Sequence, residues 1–190
     1  MLRPAYPIET ERLLLRPFTM DDHDDALAYY SRPDVVRYLY WEPFTTESFP
    51  DRMARLVRST ALEQAGDALI LAVVPRDLGR VIGDVMLAWH SAEHRSGEIG
   101  YIFHPDFHGR GYAREAVLPM LRLGFEQLGL HRVVGRLDGR NTASARLLER
   151  LGMRREAHLV ENEWVKGEWT DEVIYAMLDR EWAERYGERA

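Results

Sequence analysis

Cysteine is absent from the 190 residues, which excludes disulfide bonds and any acyl-enzyme formed on a thiol. Long apolar stretches are also missing. The longest, residues 68–74, is far shorter than the ~20 residues that a membrane-spanning helix needs. The chain does not open with the charged-then-apolar pattern of a secretory signal. These absences predict a cytoplasmic protein that has no membrane partner.

Positive charge is scarce as well, with 25 Lys and Arg against 31 Asp and Glu and a net charge of −6. Proteins that bind nucleic-acid backbones usually carry the opposite balance, so no nucleic-acid partner is expected. The charge is compatible with a cationic amine or a basic peptide. Length and a 46% hydrophobic fraction fit one domain over residues 1–190 with its own core, and a homodimer stays open.

Hydrophobic periodicity and turn residues predict an α/β fold. Strands are expected at residues 12–16, 68–74, 80–92, 98–103, 132–137, 153–160 and 171–177. Helices are expected at residues 19–30, 34–40, 48–64, 112–128 and 142–151, and near Glu181. Pro119 lies inside one of them and predicts a kink there.

The segment His108-Gly109-Arg110-Gly111-Tyr112-Ala113 connects a predicted strand to a long amphipathic helix. Its glycines carry no Cβ and allow close approach to the backbone. The first N–H groups of the helix have no partner within it and lie at the positive end of the helix dipole. Arg110 adds a guanidinium. The pattern predicts a loop that binds a phosphate-bearing ligand.

Two common phosphate-binding motifs do not fit this loop. A nucleoside-triphosphate loop needs Lys and then Ser or Thr after its glycines, whereas Gly111 is followed by Tyr112 and Ala113. The dinucleotide fingerprint needs a third glycine, which is missing. An ordinary turn between strand and helix stays open as the alternative.

A second motif, Asn141–Met153, follows a predicted strand, with Asn141 suited to cap a helix and Gly152 suited to end it. Together the two motifs resemble the GNAT acetyltransferase superfamily. The segments Glu9–Pro17 and Glu163–Asp171 are similar to the branch of Rim-type ribosomal-protein N-terminal acetyltransferases.

The resemblance implies a mixed, mostly antiparallel central sheet that is flanked by helices and splayed at its central strands. It also implies acetyl-coenzyme A as cosubstrate, no metal, and a primary amine as acceptor, for example a protein N-terminus. Without cysteine, direct attack in a ternary complex is favoured. The alternatives are a polyamine or aminoglycoside acceptor, or a non-catalytic acyl-coenzyme A sensor or interaction module.

The resemblance also implies positions for coenzyme A. The pyrophosphate is expected at the glycine loop, the pantetheine arm beside Asn141, and the thioester oxygen near a backbone N–H of Ile102 or Phe103. The expected cofactor-binding residues are Ile102, Phe103, His108, Gly109, Arg110, Gly111, Tyr112, Ala113 and Asn141.

This chain departs from the commonest family pattern at the residues that are expected to act as acid and base. Many GNAT enzymes carry Tyr where this chain has Leu148, which cannot donate a proton. Ser144, typical of the Rim-type branch, lies one turn into the predicted helix and is the expected acid, with a capping role as the alternative. Glu163 and Glu98 compete for the role of base, and each is equally well explained as a structural carboxylate.

Overall fold

Eight strands form one sheet in the computed structural model, which describes residues 1–187. The order across the sheet is β1-β2-β3-β4-β5-β6-β8-β7. Every neighbouring pair is antiparallel except β5 and β6, as the predicted mixed sheet requires. The strands are β1 Ile8–Glu9, β2 Leu13–Arg16, β3 Ala68–Pro75, β4 Gly83–Ser91, β5 Ser96–Phe103, β6 Arg132–Asp138, β7 Arg154–Val165 and β8 Glu168–Leu178.

Helices cover both faces of the sheet. Along β3, for example, Leu71 lies in one core and Ala72 in the other, because successive side chains of a strand point to opposite faces. One core contains side chains of α4, α5 and α6, and the other contains those of α1 and α3. The helices are α1 His23–Tyr30, α2 Pro33–Val36, α3 Phe49–Arg58, α4 Tyr112–Arg122, α5 Thr142–Leu151 and α6 Asp179–Tyr186.

The central strands separate after a short contact. β5 and β6 pair in parallel only from Ser96–Glu98 opposite Arg132–Val134. Beyond that point β5 remains paired with β4 as far as Phe103, and β6 with β8 as far as Asp138. The predicted splay is therefore confirmed, and we call the open space between the two strands the wedge.

Three helices differ from the prediction. α2 ends at Val36 rather than near Tyr40, and the chain continues there in turns. α3 ends at Arg58 rather than near Gln64, because the residues that follow form hydrogen bonds with other segments of the chain. The Ser59 carbonyl accepts a hydrogen bond from the Ile70 N–H at 2.8 Å, and buried Leu62 pairs with Leu2 in an isolated bridge.

Pro119 does not end α4, which continues to Arg122 and then widens into a π-helical turn, Leu123–Gln127. In that turn the Leu128 N–H donates to the Leu123 carbonyl at 2.9 Å. The predicted helix therefore extends to about residue 128, but its last part is not α-helical.

A buried polar network joins the helices of the second core to β4. The Asp84 carboxylate, 3% exposed, accepts hydrogen bonds from the hydroxyls of Tyr29 at 2.9 Å and Tyr30 at 3.0 Å. Arg52 of α3 donates to the Tyr30 hydroxyl at 2.8 Å. Burial raises the pKa of Asp84, while Arg52 and the two hydroxyls oppose the rise. Because Asp84 pairs with Ile102, the network also positions β5.

Replacement of Asp84 by Ala should lower the free energy of unfolding by about 3–5 kcal/mol, because two buried hydroxyls lose their shared acceptor and the partly buried Arg52 loses the nearby negative charge. Asp84→Asn keeps one oxygen acceptor and should cost less. Urea denaturation measures both values, and equal losses for the two variants would contradict this account.

Candidate active site

The glycine loop has the backbone conformation that its sequence predicts. Gly109 and Gly111 have φ values of 74° and 81°, in the left-handed region where side chains are strained, and Gly111 is the N-cap of α4. A Cβ on Gly109 would have no atom within 4 Å, so that side of the loop is open. The exposed His108 contacts the end of β5, with Nε2 3.0 Å from the Phe103 carbonyl oxygen.

A clamp from the turn between β1 and β2 holds this loop in place. Glu115, in the first turn of α4, accepts hydrogen bonds from the Thr10 hydroxyl at 2.6 Å and from the Arg12 backbone N–H at 2.7 Å. The Arg12 side chain donates to Glu115 at 2.7 Å and to the Arg110 carbonyl at 3.1 Å. Burial alone would raise the pKa of Glu115, but these hydrogen bonds lower it. The clamp was missed because its partners lie 98 to 105 residues apart.

The direction of the backbone groups in β5 decides which amides face the wedge. The His104 N–H donates to the Ile82 carbonyl of the segment before β4 at 2.8 Å. In an antiparallel ladder successive residues point their N–H groups to alternate sides. The Ile102 N–H therefore faces β4, opposite Asp84, and the Phe103 N–H faces the wedge. Of the two expected residues, Phe103 has the amide directed to the open side.

The first turn of α5 lies across the wedge from β5. Asn141 is the N-cap, as predicted, and its Oδ1 accepts a hydrogen bond from the Ser144 N–H at 3.1 Å. The Ser144 hydroxyl lies 2.6 Å from the hydroxyl of Tyr101, which also donates to the Ser144 carbonyl at 3.3 Å. Burial raises the pKa of Tyr101 to about 12, and the hydrogen bond with Ser144 opposes this. Tyr101 was missed although it lies in the predicted strand.

Leu148 occupies the position where many GNAT enzymes carry Tyr. It is 1% exposed and packs against Gly135 of β6, where an added Cβ would lie 2.7 Å from Leu148 Cδ1. This position therefore contributes packing to the core and offers no polar atom.

The two candidate bases belong to one group of carboxylates on the other face of the sheet. Glu98 lies 3.4 Å from His90 Nε2 and 3.5 Å from Arg136 Nε. Burial raises the pKa of Glu98; Arg136 opposes the rise, and the negative charges of Glu172 and Glu163 add to it. We call Glu98, Glu163 and Glu172 the carboxylate cluster.

Each of the other members of the cluster has a specific partner. The Glu163 carboxylate accepts a hydrogen bond from the Tyr40 hydroxyl at 2.7 Å, and Arg136 donates to Glu172 at 2.9 Å. Burial, followed by the hydrogen bond to Glu163, raises the pKa of Tyr40. The sequence offers Glu98 and Glu163 as alternative bases. In the structure the two are coupled electrostatically, because the negative charge of Glu163 raises the pKa of Glu98.

The hairpin of β7 and β8 meets the segment after α1 beside this cluster. Lys166 Nζ donates to the Val36 carbonyl at 2.6 Å, at the C-terminal end of α2. Asp171 accepts a hydrogen bond from the Glu161 N–H at 2.9 Å, at a bulge in β7 where Glu161 has a φ of 49°. Asp171 thus fixes the strand two residues before Glu163.

Metal-binding groups and membrane-spanning helices can be assessed for residues 1–187, which the structure describes. Within that range, His, Asp and Glu side chains do not gather in any group of three or more that could hold a metal ion. None of the helices in the same range is both long and apolar enough to cross a bilayer.

Sequence comparison identifies relatives over most of the chain. The model of the acetyltransferase (GNAT) domain matches residues 12–154. The chain is 33% identical to the uncharacterized N-acetyltransferase YnaD of Bacillus subtilis, over 92% of this chain and 98% of that protein. It is 29% identical to spermidine N(1)-acetyltransferase of Vibrio cholerae, over 73% and 76% of the two chains. It is 26% identical to ribosomal protein uS5-alanine N-acetyltransferase of Escherichia coli, over 94% of each.

Solved structures have the same fold. A GNAT-family acetyltransferase from Bacillus anthracis superposes with a TM-score of 0.80 at 30% identity, covering 95% of this chain and 99% of that one. Spermidine N-acetyltransferase from Vibrio cholerae in complex with CoA and spermine has a TM-score of 0.76 at 23% identity, covering 91% and 99%. The predicted resemblance is confirmed: the chain belongs to the GNAT family and is an acetyl-coenzyme A-dependent N-acetyltransferase.

Proposed function

We propose that the chain transfers the acetyl group directly from acetyl-coenzyme A to the primary amine of a cationic acceptor, with a protein N-terminus as the first candidate. The observation that carries the proposal is the wedge between β5 and β6, since it connects two chemically different faces. The side chains of Tyr101 and Glu98 leave β5 on opposite faces, as alternation requires for residues three apart. Donor and acceptor can therefore approach the same opening from opposite sides.

The donor side is suited to a pyrophosphate. The first amides of α4 are free of helical partners and lie at its positive end. We assign the pyrophosphate to the loop His108–Ala113, mainly to the amides of Gly109, Gly111 and Ala113, with Arg110 and Tyr112 adjacent. The open space beside Gly109 supports this assignment, because a bound group can come close to the backbone there.

The thioester end is assigned to the wedge. Asn141 and the first turn of α5 would flank the pantetheine arm. The Phe103 N–H, directed into the wedge, would hydrogen-bond the thioester oxygen and its negative charge in the tetrahedral intermediate. The C–N bond forms and the C–S bond then breaks, with the electron pair left on sulfur. Ser144, near the positive end of α5, assists the departing sulfur.

The acceptor side carries the carboxylate cluster. A primary amine is protonated near neutral pH and must lose a proton before it attacks. Glu98 or Glu163 would take that proton, directly or through water, and the negative charges would attract the cationic acceptor.

Two of the relatives differ in their acceptor, which is spermidine for one and an alanine of ribosomal protein uS5 for the other. The segment Glu163–Asp171 favours the protein N-terminus, whereas the three neighbouring carboxylates favour a polyamine as the second candidate.

The test of the reaction is the release of free coenzyme A from acetyl-coenzyme A in the presence of peptides with free N-termini, matched N-acetylated peptides, polyamines and aminoglycosides. We expect turnover with the free peptides and none with the blocked ones. Turnover confined to polyamines would establish the second candidate. No turnover with any amine would contradict the proposal.

The loop assignment predicts a loss of donor affinity in Gly109→Val. The new side chain would fill the open space beside the backbone and strain a residue whose φ is 74°. The dissociation constant for acetyl-coenzyme A in calorimetry should rise at least tenfold. Gly79→Val is the matched control, since Gly79 also has a positive φ, 64°, and open space around it but lies in the turn after β3. Equal affinities in the two variants would argue against the loop.

The pH dependence identifies the base. If Glu98 is the base, kcat/KM should rise with pH through its raised pKa, because the protonated carboxyl below that pKa cannot accept a proton. Glu98→Gln should then remove the acidic limb and Glu163→Gln should retain it. The reverse pattern would assign the role to Glu163. Glu172→Gln removes a negative charge that raises the pKa of Glu98 and should move a Glu98 limb to lower pH.

A further inference from the structure

We infer that Tyr101 is a positioning residue for the departure of coenzyme A: its hydroxyl holds the hydroxyl of Ser144 so that the Ser144 proton is directed at the leaving sulfur. The inference rests on the proposed function, in which sulfur leaves beside the first turn of α5.

The contact bridges the two sides of the wedge. Tyr101 belongs to β5, which stays with β4, and Ser144 belongs to α5, which follows β6. Their hydroxyl oxygens are 2.6 Å apart, a short distance for two neutral hydroxyls. Within the part of the chain that the structure describes, the side-chain hydrogen bonds between β5 and α5 are those of Tyr101 with the hydroxyl and the carbonyl of Ser144.

The backbone of Ser144 is fixed independently of Tyr101. Its N–H donates to Asn141 Oδ1 at 3.1 Å, so the residue has a defined place in the first turn of α5. The hydroxyl hydrogen of a serine, in contrast, rotates to suit its partners. A second hydroxyl at 2.6 Å restricts that freedom, and Tyr101 is the group that supplies it.

The direction of donation follows from the position of the Tyr101 proton. The Tyr101 hydroxyl donates to the Ser144 carbonyl at 3.3 Å, so its proton lies on the side of Ser144, where Ser144 Oγ at 2.6 Å is a second acceptor. Burial raises the pKa of Tyr101 to about 12, so the hydroxyl keeps its proton near neutral pH. Tyr101 therefore shares its proton between the two oxygens of Ser144, which leaves the single Ser144 proton for sulfur.

The protons balance over the step. The C–S bond breaks with its electron pair on sulfur, Ser144 gives its proton to that sulfur, and Ser144 regains a proton from the positively charged nitrogen of the collapsing intermediate, directly or through water. Nitrogen loses one proton as the amide forms, sulfur gains one, and Tyr101 is unchanged. Leu148, one turn further along α5, has no polar atom for this purpose.

The test uses Tyr101→Phe, which keeps the ring and removes only the hydroxyl. We expect kcat to fall roughly tenfold, the equivalent of one hydrogen bond, with the dissociation constant for acetyl-coenzyme A nearly unchanged. Ser144→Ala should lower kcat by about a hundredfold, the usual contribution of one general acid. Tyr101→Phe should cause no further loss when Ser144 is already Ala, because it acts through that residue.

Two readouts separate positioning from simple stabilisation. The effect of Tyr101→Phe should shrink with an acyl donor whose thiol is more acidic, since that sulfur needs less assistance. Tyr175→Phe is the matched control: it removes a hydroxyl that donates to Glu149 of the same helix at 2.9 Å, away from β5. It should leave kcat unchanged even where it lowers the melting temperature.

Three results would overturn the inference. The first is a wild-type kcat in Tyr101→Phe, even with a lowered melting temperature. The second is an equal factor of loss with and without Ser144. The third is a loss that does not depend on the acidity of the leaving thiol. All three require an active wild-type enzyme, so they differ from failure of the proposed function, in which the wild type would acetylate no amine.

Discussion

The short parallel contact between β5 and β6 is the constraint on which the rest of the site depends. Backbone groups in a sheet need partners, and beyond Glu98 and Val134 the two strands find theirs on outer neighbours, β4 and β8. The inner edges are left facing each other without hydrogen bonds. Since the strands are parallel, the helices that follow them, α4 and α5, both begin at the open end.

This topology brings two helix N-termini to one opening without any long-range sequence motif. Each terminus carries a partial positive charge, so the opening is favourable for the anionic groups of a coenzyme A thioester. The opposite face is negative because Glu98, Glu163 and Glu172 are gathered there. The sheet therefore has helix N-termini on one face and the carboxylate cluster with Arg136 on the other, and the gap in its hydrogen bonding lies between them.

Local features of this architecture can be predicted from the sequence. The glycine loop and the cap at Asn141 depend on neighbouring residues, so their residue types predict their conformation. The pairing of Tyr101 with Ser144 spans 43 residues and depends on how far β5 turns from β6, which no local pattern records. The clamp on Glu115 and the early end of α3 are likewise decided by tertiary partners.

The function of the chain is accordingly predicted more reliably than its catalytic groups. The two motifs that indicate the family are the ones that we assign to the cosubstrate. The proposed acid and base are side chains from β5, β7 and α5, whose distances follow from strand register and from the bulge at Glu161. Sequence analysis could name Glu98 and Glu163 separately, but their electrostatic coupling emerges only when the sheet is assembled.

The hydrogen bond from Lys166 to the Val36 carbonyl bears on whether the enzyme can acetylate its own side chains. Of the 25 cationic Lys and Arg side chains, Lys166 is the only lysine, and its nitrogen is already engaged at the end of α2. The remaining cations are guanidiniums, which stay protonated and are poor nucleophiles. A protein of a family that acetylates amines thus presents a single side-chain amine of its own, so its surface offers almost no target for self-acetylation.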